Sequence, residues 1–171
     1  MPDTAFDMID LCSKVAVGVI TGAAAALLTA RLALKRFYHE KWWEKKHAAY
    51  NQLIDKLFEI KAFYAYASDF YQEEYEYYQS DDSQRPSGTV DWDRFREITA
   101  QIHRFYALAP ISLSINTRSL LRDFFKESAD SDYKINEEGF PDFIAFSQMS
   151  DAVQKLIDAI VLDAKKELKF K

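Results

Sequence analysis

Apolar residues fill the chain almost without interruption from Val15 to Leu34, then settle into steps of three and four. The first stretch, VAVGVITGAAAALLTARLAL, holds no Pro, Asn, Asp or Glu, and its one charge is Arg31. An α-helix rises about 1.5 Å per residue, so twenty residues cover about 30 Å, the hydrocarbon thickness of a bilayer. Residues 15–34 therefore read as a transmembrane helix. A signal peptide would begin with basic residues, and here Asp3, Asp7 and Asp10 stand against Lys14. Cys12 precedes the run, the wrong side for a lipoprotein signal. The competing alternative is a buried, alanine-rich helix of a soluble protein.

Beyond the run, no Gly or Pro appears from Phe37 until Pro86. The spacing predicts one long helix over 37–78. Its seam is Tyr50, Leu53, Leu57, Ile60, Tyr64, Ala67 and Tyr71, and such a stripe seeks a helical partner. A polar loop follows at 80–88. The second helix starts near Asp91, a good N-cap, and carries Trp92, Phe95, Ile98, Ile102, Phe105 and Tyr106 on one face. Pro110 is expected to end it. Ser112 or Ser114 caps a short third helix with Leu120, Leu121, Phe124 and Phe125. Asp130, Asp132, Asn136 and Gly139 predict a loop over 128–139. Pro141 suits the first turn of a last helix bearing Phe146, Met149, Val153, Leu156, Ile157, Ile160, Ala164 and Leu168.

The predicted fold is thus all-α: an N-terminal transmembrane helix continuing into a long helix, and a cytoplasmic antiparallel bundle of about four helices. The segments are a tail (1–14), the span (15–34), a basic juxtamembrane collar (35–49) and the bundle (50–171). Four Gly and four Pro in 171 residues, with 15% aromatics, fit a helical chain with a packed core. A single Cys excludes an internal disulfide.

Charge gives the span a direction. Arg31 stands near its end and Lys35, Arg36, Lys41, Lys45 and Lys46 follow it, while Lys14 alone precedes it. Positive flanks stay cytoplasmic, so the expected location is a bacterial inner membrane, single-pass, N-terminus outside. Arg31, Lys35, Arg36 and Lys41, with Trp42 and Trp43, are the candidate lipid-headgroup residues. The chain carries −5 overall, so the part beyond the collar is acidic, which makes nucleic acid an unlikely partner. Membrane lipid and other copies of the chain are the expected partners, with a protein partner as a further candidate.

Gly18, Gly22, Ala26 and Ala30 recur every fourth residue. Lipid tails supply no hydrophobic drive for helix association, so close approach across small residues takes its place. This stripe is the candidate oligomerisation face. Tyr64, Tyr71, Tyr75 and Tyr78 form a candidate interface, because tyrosine joins a large apolar surface to a polar tip. The alternative is a core helix with amphipathic edges.

Few residues carry chemistry. Glu44 and His47 make one Glu-x-x-His pair, but a di-iron bundle needs two, and Ala100 stands three before His103. No metal or cofactor is expected. Arg96 and His103, with six residues between them, are the weak catalytic candidates. The spacing is similar to that of HEPN ribonucleases, where the His acts in acid–base chemistry and the Arg stabilises phosphorane charge.

The whole plan resembles small bacterial membrane proteins of anti-phage systems, including the membrane-pore accessory of RNA-targeting CRISPR effectors. That resemblance implies a homo-oligomeric ring whose first helices line a pore, above a degenerate HEPN-like bundle. The expected function is a pore-like or membrane-disrupting effector and not an enzyme. The alternatives are a membrane-tethered adaptor and a HEPN-like ribonuclease.

Overall fold

Four helices account for nearly all of the described chain. The computed structural model describes residues 3–79 and 87–168, without the side chains of residues 3–13, 15–18 and 20. The helices are α1 (Asp3–Gln79), α2 (Trp92–Ser112), α3 (Ile115–Glu138) and α4 (Asp142–Glu167). No strand occurs among the described residues. The chain divides into two compact units, Met1–Glu44 and Lys45–Lys171.

Within the second unit, side-chain contacts fix an up-down-up-down bundle. Arg94, at the start of α2, meets Glu59 of α1 at 2.7 Å, so α2 runs back along α1. Tyr50 and Tyr64 of α1 meet Ser114 and Ser128 respectively, both pairs 64 residues apart. The part of α1 in this unit and α3 therefore run parallel in constant register. Ser68 donates to the Phe143 carbonyl, Lys61 to Gln154, and Lys46 to Glu167, so α4 is antiparallel to α1.

The seam read from the sequence forms the core. Tyr50, Leu53, Leu57, Ile60, Tyr64 and Ala67 are all buried, and Tyr71 is half-buried at the edge. From α4, Phe146, Met149, Val153, Leu156, Ile157 and Ile160 pack into it, with Ile98, Ile102, Leu121 and Phe124 from α2 and α3. Phe63, Trp92, Phe95 and Phe146 add an aromatic knot with ring centroids 4.8–5.7 Å apart. Each fully buried aliphatic side chain contributes roughly 1.5–3 kcal/mol of transfer free energy.

Two expectations need correction. Residues 128–138 are helical: α3 is 24 residues long and stops only at Gly139, in the left-handed conformation with φ 66°. The polar residues there stand on an exposed helical face, while Ser128 turns inward toward Tyr64. Pro110 also does not end α2. Proline removes one N–H bond, yet the helix runs on to Ser112, and the Leu113 N–H closes the last turn on the Ala109 carbonyl at 2.9 Å. The caps follow the reading: Asp91 accepts from the Arg94 N–H at 2.9 Å, and Ser114 from the Thr117 N–H at 2.9 Å. Residues 80–86 of the expected loop lie outside those described.

Among the described residues, no helix is long and apolar enough to cross a membrane. Val15, Ala16, Val17, Gly18 and Ile20, a quarter of the expected span and its most apolar part, have side chains outside that description. The backbone of the expected tail is helical from Asp3.

Candidate functional site

Among the described residues, the most elaborate polar site lies where α1, α3 and α4 meet. Asp163 sits on the apolar face of α4, three residues after Ile160, and is buried. Its Oδ2 accepts from the hydroxyls of Ser114, Thr117 (2.5 Å) and Tyr50 (3.3 Å), and its Oδ1 from the Asn116 amide at 3.1 Å. Tyr50 in turn accepts from the Ser114 N–H at 3.2 Å. Burial pushes the Asp163 carboxyl up, but four hydrogen bonds outweigh it and hold the group below the usual carboxylate range. The N-terminus of α3 adds a favourable dipole. With both oxygens engaged by residues of α1 and the start of α3, Asp163 is a clamp between helices. Sequence reasoning missed it. The available signal was an acid at a core position of α4, matched by Ser114 and Thr117 three apart at a helix start.

Arg96 and His103 each have another partner. Arg96 is largely exposed and bound to Asp93, one turn back on its own helix. His103 is exposed, and its ring stacks on Phe125 of α3 at 3.9 Å and 9°. Among the described residues no hydrogen bond or ring contact joins the two. They share a helix without sharing a site.

The tyrosines divide. Tyr64 belongs to the core, against Phe95 and Phe146, and burial pushes its hydroxyl up to about 12. That removes it from the candidate interface. Tyr71 is half-buried, whereas Tyr75 and Tyr78 are exposed. These three line a cleft with Glu74, Asp142 and Phe143. Burial, with Glu74 adding to it, raises the Asp142 carboxyl.

In the first unit, Gly22, Ala26 and Ala30 are exposed, and the Gly18 side-chain environment lies outside the described residues. A Cβ on Gly22 would meet nothing within 4 Å. Arg31 and Lys35 are exposed, Arg36 pairs with Glu40 at 2.9 Å, and Lys41 with Glu44 at 2.8 Å. Trp42 is exposed and Trp43 half-buried. Lys46, counted in the basic run, is buried in the second unit and bound to Glu167. His47 contacts Asn51, and Glu44 is taken by Lys41. No group of three His, Cys, Asp or Glu among the described residues is placed to hold a metal.

No protein-family model, curated protein or solved structure matches this chain. What it does rests on its own residues.

Proposed function

We propose that this is a membrane-anchored, self-associating helical protein. Residues 15–34 lie in the bilayer of a bacterial inner membrane, the N-terminus outside and the bundle in the cytoplasm. The observation that carries this is the exposure of apolar side chains in the first unit. Val19, Leu27, Leu28, Leu32, Leu34 and Phe37 are each between 53% and 66% exposed in the isolated chain. Apolar exposure repeated over such a length needs a cover. The basic residues that follow suit lipid headgroups, and Gly22, Ala26 and Ala30 leave a strip on which a second helix can lie close. The working part is then this helix, acting on the bilayer as a pore-like or disrupting element. The Thr29 hydroxyl, a candidate for wetting a lumen, bonds the Ala25 carbonyl at 2.9 Å.

Alkaline carbonate extraction of membranes containing the full chain tests the anchor: the protein stays in the pellet. Light scattering in detergent then gives its mass, which exceeds that of one 19.9 kDa chain. Release into the carbonate wash would overturn the anchor, and a monomer mass would overturn self-association. Dye release from loaded vesicles tests the pore.

A second reading, a tethered adaptor, is favoured by Tyr75 and Tyr78 beside Phe143, an exposed aromatic edge with no use in the core. Deleting residues 1–34 separates the two. An adaptor keeps its partner, while a pore loses all activity.

A further inference from the structure

The α2–α3 corner carries three exposed large aliphatic side chains within eight residues of sequence. Leu108 is 44% exposed, Ile111 76% and Ile115 90%. The surrounding charge is one-sided. From Ile98 to Leu121 there is no Asp or Glu, in a chain with 27 of them, but there are Arg104 and Arg118, while Arg122 is taken by Asp123 at 2.9 Å. Arg104 and Arg118 are exposed, and the Arg118 guanidinium lies over the Tyr106 ring at 5.3 Å.

The bundle places more positive charge at this end. Asp163 binds the first residues of α3, so the last turn of α4, with exposed Lys165 and Lys166, lies at the same end as the corner. The carboxylates nearest to hand are already used: Asp163 by Ser114, Thr117, Asn116 and Tyr50, and Glu167 by Lys46. Lys45, where the second unit begins, is exposed at this end too, since Tyr50 reaches Ser114.

We infer that the α2–α3 corner is a docking wedge for an anionic lipid surface, in which Ile111, Ile115 and Leu108 enter the interface while Arg104 and Arg118 meet headgroup phosphates. Apolar tips rimmed by arginine suit the boundary between headgroups and acyl chains. A second copy of the corner is the poorer occupant, because two such corners face to face would oppose arginine with arginine. The inference rests on the membrane reading above, and gives the bundle its own contact with the bilayer, separate from residues 15–34.

The test uses the full chain with Cys12→Ser and Ile115→Cys, labelled with a polarity-sensitive fluorophore and reconstituted in phosphatidylglycerol vesicles carrying a spin-labelled lipid quencher. Ile115 is so exposed that the change removes no core contact. Tyr133→Cys, exposed and further along α3, gives the reference label. Quenching at 115 is expected to exceed that at 133 by at least about threefold, and to fall toward it with Arg104→Glu and Arg118→Glu or in phosphatidylcholine vesicles. Equal quenching at the two sites, in protein that resists carbonate extraction, overturns the wedge and leaves the anchor standing. Disulfide cross-linking between unlabelled Ile115→Cys copies in place of quenching also overturns it. Loss of the protein to the carbonate wash is the separate failure of the anchor.

Discussion

The Tyr50 hydroxyl lies 3.3 Å from a carboxylate oxygen of Asp163, closing a contact across 113 residues of sequence. Ser114 and Thr117 donate to the same oxygen. Three helices are thereby tied at one buried charge. Hydrogen bonds to ionised groups contribute about 1.5–3 kcal/mol each, and they act together here.

Asp163→Asn should lower the stability of the bundle by about 3 kcal/mol, since one oxygen becomes a donor facing other donors. The folded carboxyl lies below its ordinary value, so its stabilisation is complete above the unfolded pKa, near about 4, and is lost as pH falls through the folded value. Thermal melts followed by circular dichroism from pH 7 down to about 2 check both statements. The gap between wild type and Asp163→Asn should be constant near neutrality and shrink below about pH 4. A gap that does not depend on pH would mean that the charge contributes nothing.

Gly139→Ala is expected to cost about 1 kcal/mol. The residue has φ 66°, and its site leaves room for a methyl group, so the cost is backbone strain and not a clash. The Phe140 N–H bond to the Lys134 carbonyl, 3.0 Å, depends on that turn. Denaturant unfolding at neutral pH measures the loss. Gly139→Asn, which tolerates the left-handed region better, should fall between Gly and Ala.

The core of the bundle was legible because burial follows period. Every seam residue of α1 from Tyr50 to Ala67 is buried, as is the predicted apolar face of α4 from Phe146 to Leu168. The extent of α3 was not legible. Asp130, Asp132 and Asn136 have low helix propensity, but the inward turn of Ser128 toward Tyr64 and the glycine stop at 139 set the length instead. The Asp163 site was hidden for another reason. A carboxylate at a core position acquires meaning only through Ser114 and Thr117, far away in sequence. The partners of Arg96 and His103 were not legible either, since a shared helical face says nothing of Asp93 holding the one and Phe125 stacking on the other.

Gly22→Leu should weaken self-association without disturbing the chain's own fold. A Cβ at Gly22 meets nothing within 4 Å and the position is exposed, so the effect of the substitution reports on a neighbouring copy. Light scattering in detergent should show mass falling toward the monomer, with Ala26→Leu adding to the shift. An unchanged mass for the double variant would remove the small-residue stripe as the interface.

Arg96→Ala and His103→Ala should leave the in-vivo activity of the chain unchanged. Arg96 trades one exposed ion pair with Asp93, worth about 0.5 kcal/mol. His103 gives up its stacking on Phe125, a loss of about 1 kcal/mol at most. A growth or toxicity assay on overexpression reads the outcome. Loss of activity in His103→Ala, with its melting temperature preserved, would revive the ribonuclease alternative.

Synthesis of the chain gives the Asp163 clamp one more meaning. Tyr50, Ser114 and Thr117 leave the ribosome before their common acceptor exists, because Asp163 lies on α4, after all three in the chain. Until α4 docks, Tyr50, Ser114 and Thr117 have one another and the α3 backbone as partners, but the ionised acceptor they share is missing. A chain cut short of Asp163 should therefore hold α1 and α3 together less firmly than the full bundle does.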